Sequence, residues 1–286
     1  MLIAAFPETK SIARAVAKSL KAEYTEVRVK DFPDSEFHLK LKANPKHKIV
    51  AFIASMTQDP DQKLIETLLA AGIAKDYGAK KVIVVATYLP YMRQDKHFKK
   101  YDSFSSKHIL ELFAHIDRLL VIDPHLHRIK KMEQLLPKAT ALTTNALIAH
   151  YIHKRFKDNF SIVGPDEESA QWSKTIAQML GKKVVILKKT RFSSTHVKIK
   201  EKKLGENIII IDDIISTGRT LVETIKMAKR QGAKKIICIG IHGVLVKGSD
   251  TLITQHAELI TTNTILNPYA KIDVSPVIVD ALKMIG

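Results

Sequence analysis

Along the chain, apolar runs of strand length alternate with longer amphipathic stretches. HKIVAFIAS, DQKLIETLLAAGIAKDYG, AKKVIVVATY and RLLVIDPH follow one another between residues 47 and 125. The second half repeats the idiom with FSIVGPD, SAQWSKTIAQML, KKVVILKK, NIIIIDD, LVETIKMAKRQG and AKKIICIGIHG, ending at residue 243. Near-continuous Ile/Val runs suit strands buried on both faces, the habit of parallel sheets covered by helices. The predicted class is therefore α/β, with mostly parallel sheets flanked by helices.

An internal echo adds to this. AKDYGAKKVIVV at 74–85 and AKRQGAKKIICI at 228–239 each read as helix end, glycine stop and buried strand. Gly78 and Gly232 stand where a helix C-terminus needs a residue tolerant of positive φ. The echo predicts two related halves, 1–145 and 146–286, although no Gly-, Pro- or Ser-rich linker marks the division. The polar, basic segment TRFSSTHVKIKEKKLG at 190–205 lies between two strand candidates and reads as an exposed hairpin or mobile loop.

Composition narrows the class. The 286 residues are 45% hydrophobic and 26% charged with 11 Gly and 10 Pro, which excludes wholesale disorder and collagen. The single cysteine, Cys238, rules out an internal disulfide and a Cys-rich zinc site, and fits a cytoplasmic protein. No apolar run approaches the roughly 20 residues of a membrane span, and the opening MLIAAFPETK has no basic region ahead of its apolar stretch. Lys+Arg number 46 against 29 Asp+Glu, a net charge of +17 that suits either a nucleic-acid binder or an enzyme for polyphosphates. Most of the excess is Lys scattered over presumed helix faces. Aromatics are only 6% and no nucleic-acid module is present, so the expectation is no nucleic-acid partner.

The strongest chemical signal is IIIIDDIISTGRTL at 208–221. Four Ile end in Asp212–Asp213, and a short loop of Ser216, Thr217, Gly218, Arg219 and Thr220 leads into an amphipathic helix. Unpaired N–H groups and the helix dipole at such a turn hold a phosphate without a basic side chain. The adjacent carboxylates suit sugar hydroxyls or a divalent cation.

DDIISTGRT resembles the phosphoribosyl-pyrophosphate (PRPP) loop of the type I phosphoribosyltransferase fold, shared by enzymes that consume PRPP and by the PRPP synthetase family that makes it. Four further strings follow the order of the synthetase family. DFPDSEF at 31–37 is similar to its ATP-binding loop, implying Phe32 stacked on adenine with Asp34 and Glu36 nearby. YLPYMRQDK at 88–96 resembles PYxRQD and places Arg93 and Gln94 at the nucleotide. VIDPHLHRIKKM at 121–132 implies His125 beside magnesium on the ATP phosphates, with His127 as a possible competitor. Imidazole is an unusual partner for so hard a cation, and His125 rests on the resemblance. VGPDEESAQW at 163–172 resembles the SPDAGG turn and implies a metal or phosphate role for Asp166, with Glu167, Glu168 and Ser169 in place of the usual Ala and two Gly. Lys189 and Arg191 match a Lys-x-Arg on the family's flexible loop, which closes over the reacting phosphates.

The resemblance thus implies two tandem phosphoribosyltransferase-like domains, the ATP-side motifs in the first and the PRPP loop in the second. It implies magnesium as cofactor, ATP and ribose 5-phosphate as substrates, and a homodimer or higher homo-oligomer. Within the PRPP loop, Ser216 replaces a frequent Asp and Arg219 replaces a Gly or small residue, so Arg219 either points outward or adds a cation to the 5-phosphate. The rival readings are a phosphoribosyltransferase, an inactive regulatory relative and, from another class, a nucleic-acid-binding protein.

Overall fold

The computed structural model describes all residues except 130, 158, 192–196, 201–202 and 286, and gives the backbone alone for 189–191 and 197–200. The chain forms two compact units, residues 1–143 with 264–266 and 274–286, and residues 144–263 with 267–273.

The first unit holds β1 (Leu2–Ala5), α1 (Lys10–Leu20), β2 (Glu23–Asp31), β3 (Phe37–Leu41), β4 (Ile49–Ser55), α2 (Pro60–Asp76), β5 (Lys81–Tyr88), α3 (Ser105–Leu112), β6 (Arg118–Ile122) and β7 (Ala139–Leu142). Its seven strands lie in the order β3-β2-β1-β4-β5-β6-β7, all parallel except the antiparallel β2–β3 hairpin at the edge. The apolar runs divide by the period of two. Leu2, Ala4, Phe52, Val82 and Val84 fill one core face with Leu64, Ala70 and Ala74 of α2. Ile3, Ala5, Ile53, Ile83 and Val85 fill the other with Ile12 and Val16 of α1. Pro60 opens α2, where its missing N–H costs nothing.

The second unit holds α4 (Asn145–Arg155), β8 (Ser161–Gly164), α5 (Ala170–Leu180), β9 (Val184–Ile186), β10 (Lys188–Arg191), β11 (Val197–Lys200), β12 (Asn207–Ile215), α6 (Arg219–Arg230), β13 (Lys235–Gly243), α7 (Ser249–Thr254), β14 (Glu258–Thr262) and β15 (Ala270–Ile272). Six strands form a parallel sheet in the order β15-β14-β13-β12-β8-β9. Ile209 and Ile211 face α4 and α5, while Ile208 and Ile210 face Leu221, Ile225 and Ala228 of α6. Residues 188–191 and 197–200 pair antiparallel, so the described part of the basic segment is a hairpin.

The division at 145/146 puts the last helix, α8 (Ser275–Lys283), in the second half of the sequence, and in the structure Val274, Ile278, Val279 and Leu282 pack with Ile12 and Val16 in the first unit's core. Its apolar stripe completes the face that α1 leaves partly covered, so the first unit is discontinuous in sequence.

Candidate functional site

Most of the residues singled out from the sequence stand at the C-terminal ends of strands or on the loops that follow them, where a parallel α/β sheet presents groups for binding, while Lys189 and Arg191 stand on β10. They form one group in each unit.

In the first unit, the DFPDSEF turn joins β2 to β3 and is closed on itself. Phe32 N–H donates to Glu36 O at 2.7 Å, Ser35 N–H to Phe32 O at 3.1 Å, and Glu36 N–H to the Asp34 carboxylate at 3.2 Å. Ser35 takes φ +71° to make the turn. Phe32 is 44% exposed, an aromatic face held out on a short, self-bonded loop.

The loop after β5 is anchored by the buried Leu89 and Met92, which leaves Arg93 and Gln94 exposed between them and the next buried residue, Asp95. Tyr91, at φ +65°, hydrogen-bonds Asp61 of α2. Gln94 is engaged at the start of α3, where its side-chain oxygen accepts from the Ser105 hydroxyl and its carbonyl from Ser106 N–H at 3.2 Å. Asp95 reaches the loop after β6, where Oδ2 accepts the main-chain N–H groups of His127 at 3.1 Å and Arg128 at 3.0 Å. Its Oδ1 accepts from the Arg128 guanidinium at 2.7 Å. Burial pushes this carboxyl up, but the hydrogen bonds from Arg128 and His127 outweigh it and hold the group below its ordinary value.

The loop after β6 begins at Asp123, buried and held at φ +36°, with its N–H on Leu142 O at 2.8 Å. His125 and His127 meet edge-on, ring centroids 4.1 Å apart at 86°, with their Nε2 atoms at 2.9 Å. Leu126 between them is buried, and both histidines are half-buried.

In the second unit, β12 carries Asp212 and Asp213 to its C-terminal end, and both are buried, Asp213 to 2% exposure. Gly218, at φ +68°, is the N-cap of α6, and the first N–H groups of that helix have no intrahelical acceptor. Arg219 is the first helical residue and exposed, so its side chain meets no backbone difficulty. Ser216, Thr217 and Thr220 line the same turn with hydroxyls, Thr217 exposed and the other two half-buried. Burial, then the neighbouring Asp212, pushes the Cys238 thiol far up, so it is no nucleophile.

After β8, Asp166 and Ser169 cap one another. Ser169 N–H donates to Asp166 Oδ1 at 2.9 Å, the Ser169 hydroxyl to Asp166 O at 2.9 Å, and Asp166 N–H to Ser169 Oγ at 3.3 Å. Ser169 is thus the buried N-cap residue of α5 with its hydroxyl held by Asp166 rather than by the helix, while Glu167 pairs with Lys188 at 3.3 Å on the surface. Lys189 and Arg191 lie on the backbone of β10, and their side chains fall outside the described residues.

In the first unit Asp123 offers oxygen donors that suit a hard divalent cation such as magnesium, with His125 a borderline nitrogen donor beside it, and in the second unit Asp166, Asp212 and Asp213 offer donors of the same kind. Sequence reasoning passed over Asp123 and Asp95. The first was signalled by its place at a strand end, directly ahead of Pro124. The second stands in the PYxRQD string itself, but its role had no signal, because its partners stand more than thirty positions further along the chain.

Known proteins align with the chain almost from end to end. Residues 1–116 match the model of the N-terminal domain of ribose phosphate pyrophosphokinase, and residues 138–256 match that of the phosphoribosyl transferase domain. The ribose-phosphate pyrophosphokinase of Pyrococcus furiosus is 31% identical, over 92% of this chain and 94% of its own. That of Methanopyrus kandleri is 27% identical over 99% of both chains. The crystal structure of phosphoribosylpyrophosphate synthetase from Mycobacterium smegmatis shares the fold with a TM-score of 0.87 at 22% identity, covering 99% of this chain and 98% of that one.

Proposed function

This chain belongs to the ribose-phosphate pyrophosphokinase family, an enzyme family of PRPP synthesis, and from that premise we propose that it transfers the β,γ-pyrophosphoryl group of ATP to the anomeric hydroxyl of ribose 5-phosphate. The anomeric oxygen bonds to the β-phosphorus as the bond from that phosphorus to the α,β-bridging oxygen breaks, the hydroxyl proton passes to solvent, and AMP leaves. The observation that supports this most is the joining, in one chain, of the β12–Gly218–α6 turn with the loops after β5 and β6. A phosphoribosyltransferase needs the first and has no use for the others.

In this reading the α6 N-terminus and the hydroxyls of Ser216, Thr217 and Thr220 receive the 5-phosphate, and exposed Arg219 adds a cation at its rim. Asp212 and Asp213 accept from the ribose hydroxyls. Phe32 stacks on adenine, with Asp34 and Glu36 beside it, and Arg93 and Gln94 hold the nucleotide. His125 in the first unit and Asp166 in the second are the residues that would hold magnesium, which would supply charge neutralisation on the ATP phosphates. Lys189 and Arg191 bind the reacting phosphates as charge builds on them, so alignment and electrostatics do most of the catalysis. The enzyme acts in the cytoplasm as a homodimer or higher homo-oligomer. Among the described residues no helix is long and apolar enough to cross a membrane.

The test is incubation with ATP, magnesium and ribose 5-phosphate, following phosphorus spectra for PRPP and AMP. Both should rise together with ribose 5-phosphate concentration, and Asp213→Asn should abolish this while leaving ATP binding nearly intact. AMP without PRPP, or an Asp213→Asn enzyme within a few-fold of the parent, defeats the reading.

A further inference from the structure

The loop after β5 carries one polar residue whose surroundings differ from those of its neighbours. Arg93, Gln94 and Lys96 are exposed, whereas the Asp95 side chain is 1% exposed and accepts three hydrogen bonds, all from residues 127 and 128. A buried carboxylate is costly unless its lone pairs are filled, and here Arg128 and the two main-chain N–H groups fill them. The bonds do more than neutralise a charge. The N–H of His127 belongs to the residue whose ring meets His125 edge-on with nitrogens 2.9 Å apart. The Arg128 guanidinium lies 5.1 Å over the Phe98 ring, which Lys96 approaches at 5.3 Å from the loop after β5. The two loops are thus joined twice, by a carboxylate beneath and by a cation–aromatic contact above.

We infer that Asp95 and Arg128 are a positioning pair: they hold the backbone at 127–128 so that the imidazoles of His125 and His127 keep one orientation toward the phosphate side of the site. Neither acts on substrate; both act through the histidines. The inference rests on the reading of His125 given above. Partners that orient a functional imidazole cost roughly 10- to 100-fold when removed, because the ring then samples unproductive positions.

Three variants test it. Asp95→Asn keeps the size and can still accept the main-chain N–H groups, but loses the charge facing Arg128. Arg128→Ala removes the clamp, and Arg128→Lys restores the charge without the planar fork. Imidazole nitrogen–proton spectra of the substrate-free protein report the two rings directly, alongside melting temperature and steady-state kinetics. The expected result is displaced His125 and His127 resonances in Asp95→Asn and Arg128→Ala, and a kcat lowered by about 10-fold or more at a nearly constant KM for ribose 5-phosphate. Arg128→Lys should recover part of both. Unmoved imidazole resonances in folded Asp95→Asn and Arg128→Ala overturn the inference, as does a kcat that falls only in step with the folded fraction. The spectra need no turnover, so they judge the pair even where the proposed reaction itself fails.

Discussion

Gly218→Ala should separate two costs that usually arrive together. At φ +68° an alanine adopts the left-handed conformation at roughly 1–2 kcal/mol. Its Cβ would also stand 3.0 Å from Ile253 Cδ1 and 3.3 Å from the Ser249 carbonyl oxygen. The isoleucine methyl can swing aside, but the carbonyl is backbone and yields only by moving the start of α7. Crowding of this kind adds typically about 1–3 kcal/mol, for a sum of about 2–5 kcal/mol. Gly181, just past α5, is the internal control, because it has φ +62° but nothing within 4 Å of its added Cβ. Gly181→Ala should therefore lose only the backbone part. Trp172, the single tryptophan, is buried in the same unit, so urea unfolding followed by its fluorescence reads both variants. Gly218→Ala should unfold at distinctly lower urea than Gly181→Ala, and it alone should impair turnover of ribose 5-phosphate, since the strained residue lies in the turn proposed to receive the 5-phosphate. Equal midpoints, or unaltered ribose 5-phosphate kinetics in Gly218→Ala, would refute this account of the turn.

Other outcomes follow from the same residues. Lys189→Ala and Arg191→Ala should each lower kcat by orders of magnitude, with dissociation constants and melting temperature little changed, as single-turnover kinetics and calorimetry can show. Phe32→Ala should weaken ATP binding by about 1–3 kcal/mol in titration calorimetry, the usual worth of an aromatic platform under a base. Asp117 accepts from Lys75 Nζ at 2.6 Å and from Val82 N–H at 2.6 Å. Burial raises its carboxyl pKa, and these partners more than reverse that. A depressed folded-state value means stability present above the ordinary carboxylate pKa of about 3.9 and lost as pH falls through the folded value. The stability gap between the parent and Asp117→Asn, measured by urea unfolding across pH, should be widest near neutrality and narrow below pH 4.

Much of the fold was legible because parallel strands buried on both faces need long Ile/Val runs, and 208–211 and 82–85 are such runs. The helix stops at Gly78 and Gly232 were legible for the same local reason, and both take positive φ, +77° and +87°. The β2–β3 hairpin was not read, since EYTEVRVKD and FHLKL are half-wet edge strands rich in charge. Nor could the stripe of α8 say which half it covers; amphipathicity tells a helix that it is covered, not by what. In the site, strings with fixed spacing could be found, such as the run from Asp212 to Thr220. Asp95 stands in such a string, but its role could not be read there, because that role depends on a loop brought to it only by the pairing of β5 with β6.

The return of α8 to the first unit also imposes an order on synthesis. The sheet face carrying Ile3, Ile53, Ile83 and Val85 is complete in sequence once residue 143 has been made, but its second cover is encoded after residue 273. At translation speeds of about 5–20 residues per second, the ribosome spends on the order of ten seconds on the intervening stretch. A first unit folded within that interval would have α1 in place and an open apolar strip beside it, the kind of surface on which chaperones act. Synthesis of α8, rather than completion of the first sheet, is therefore the event that closes the first unit's core.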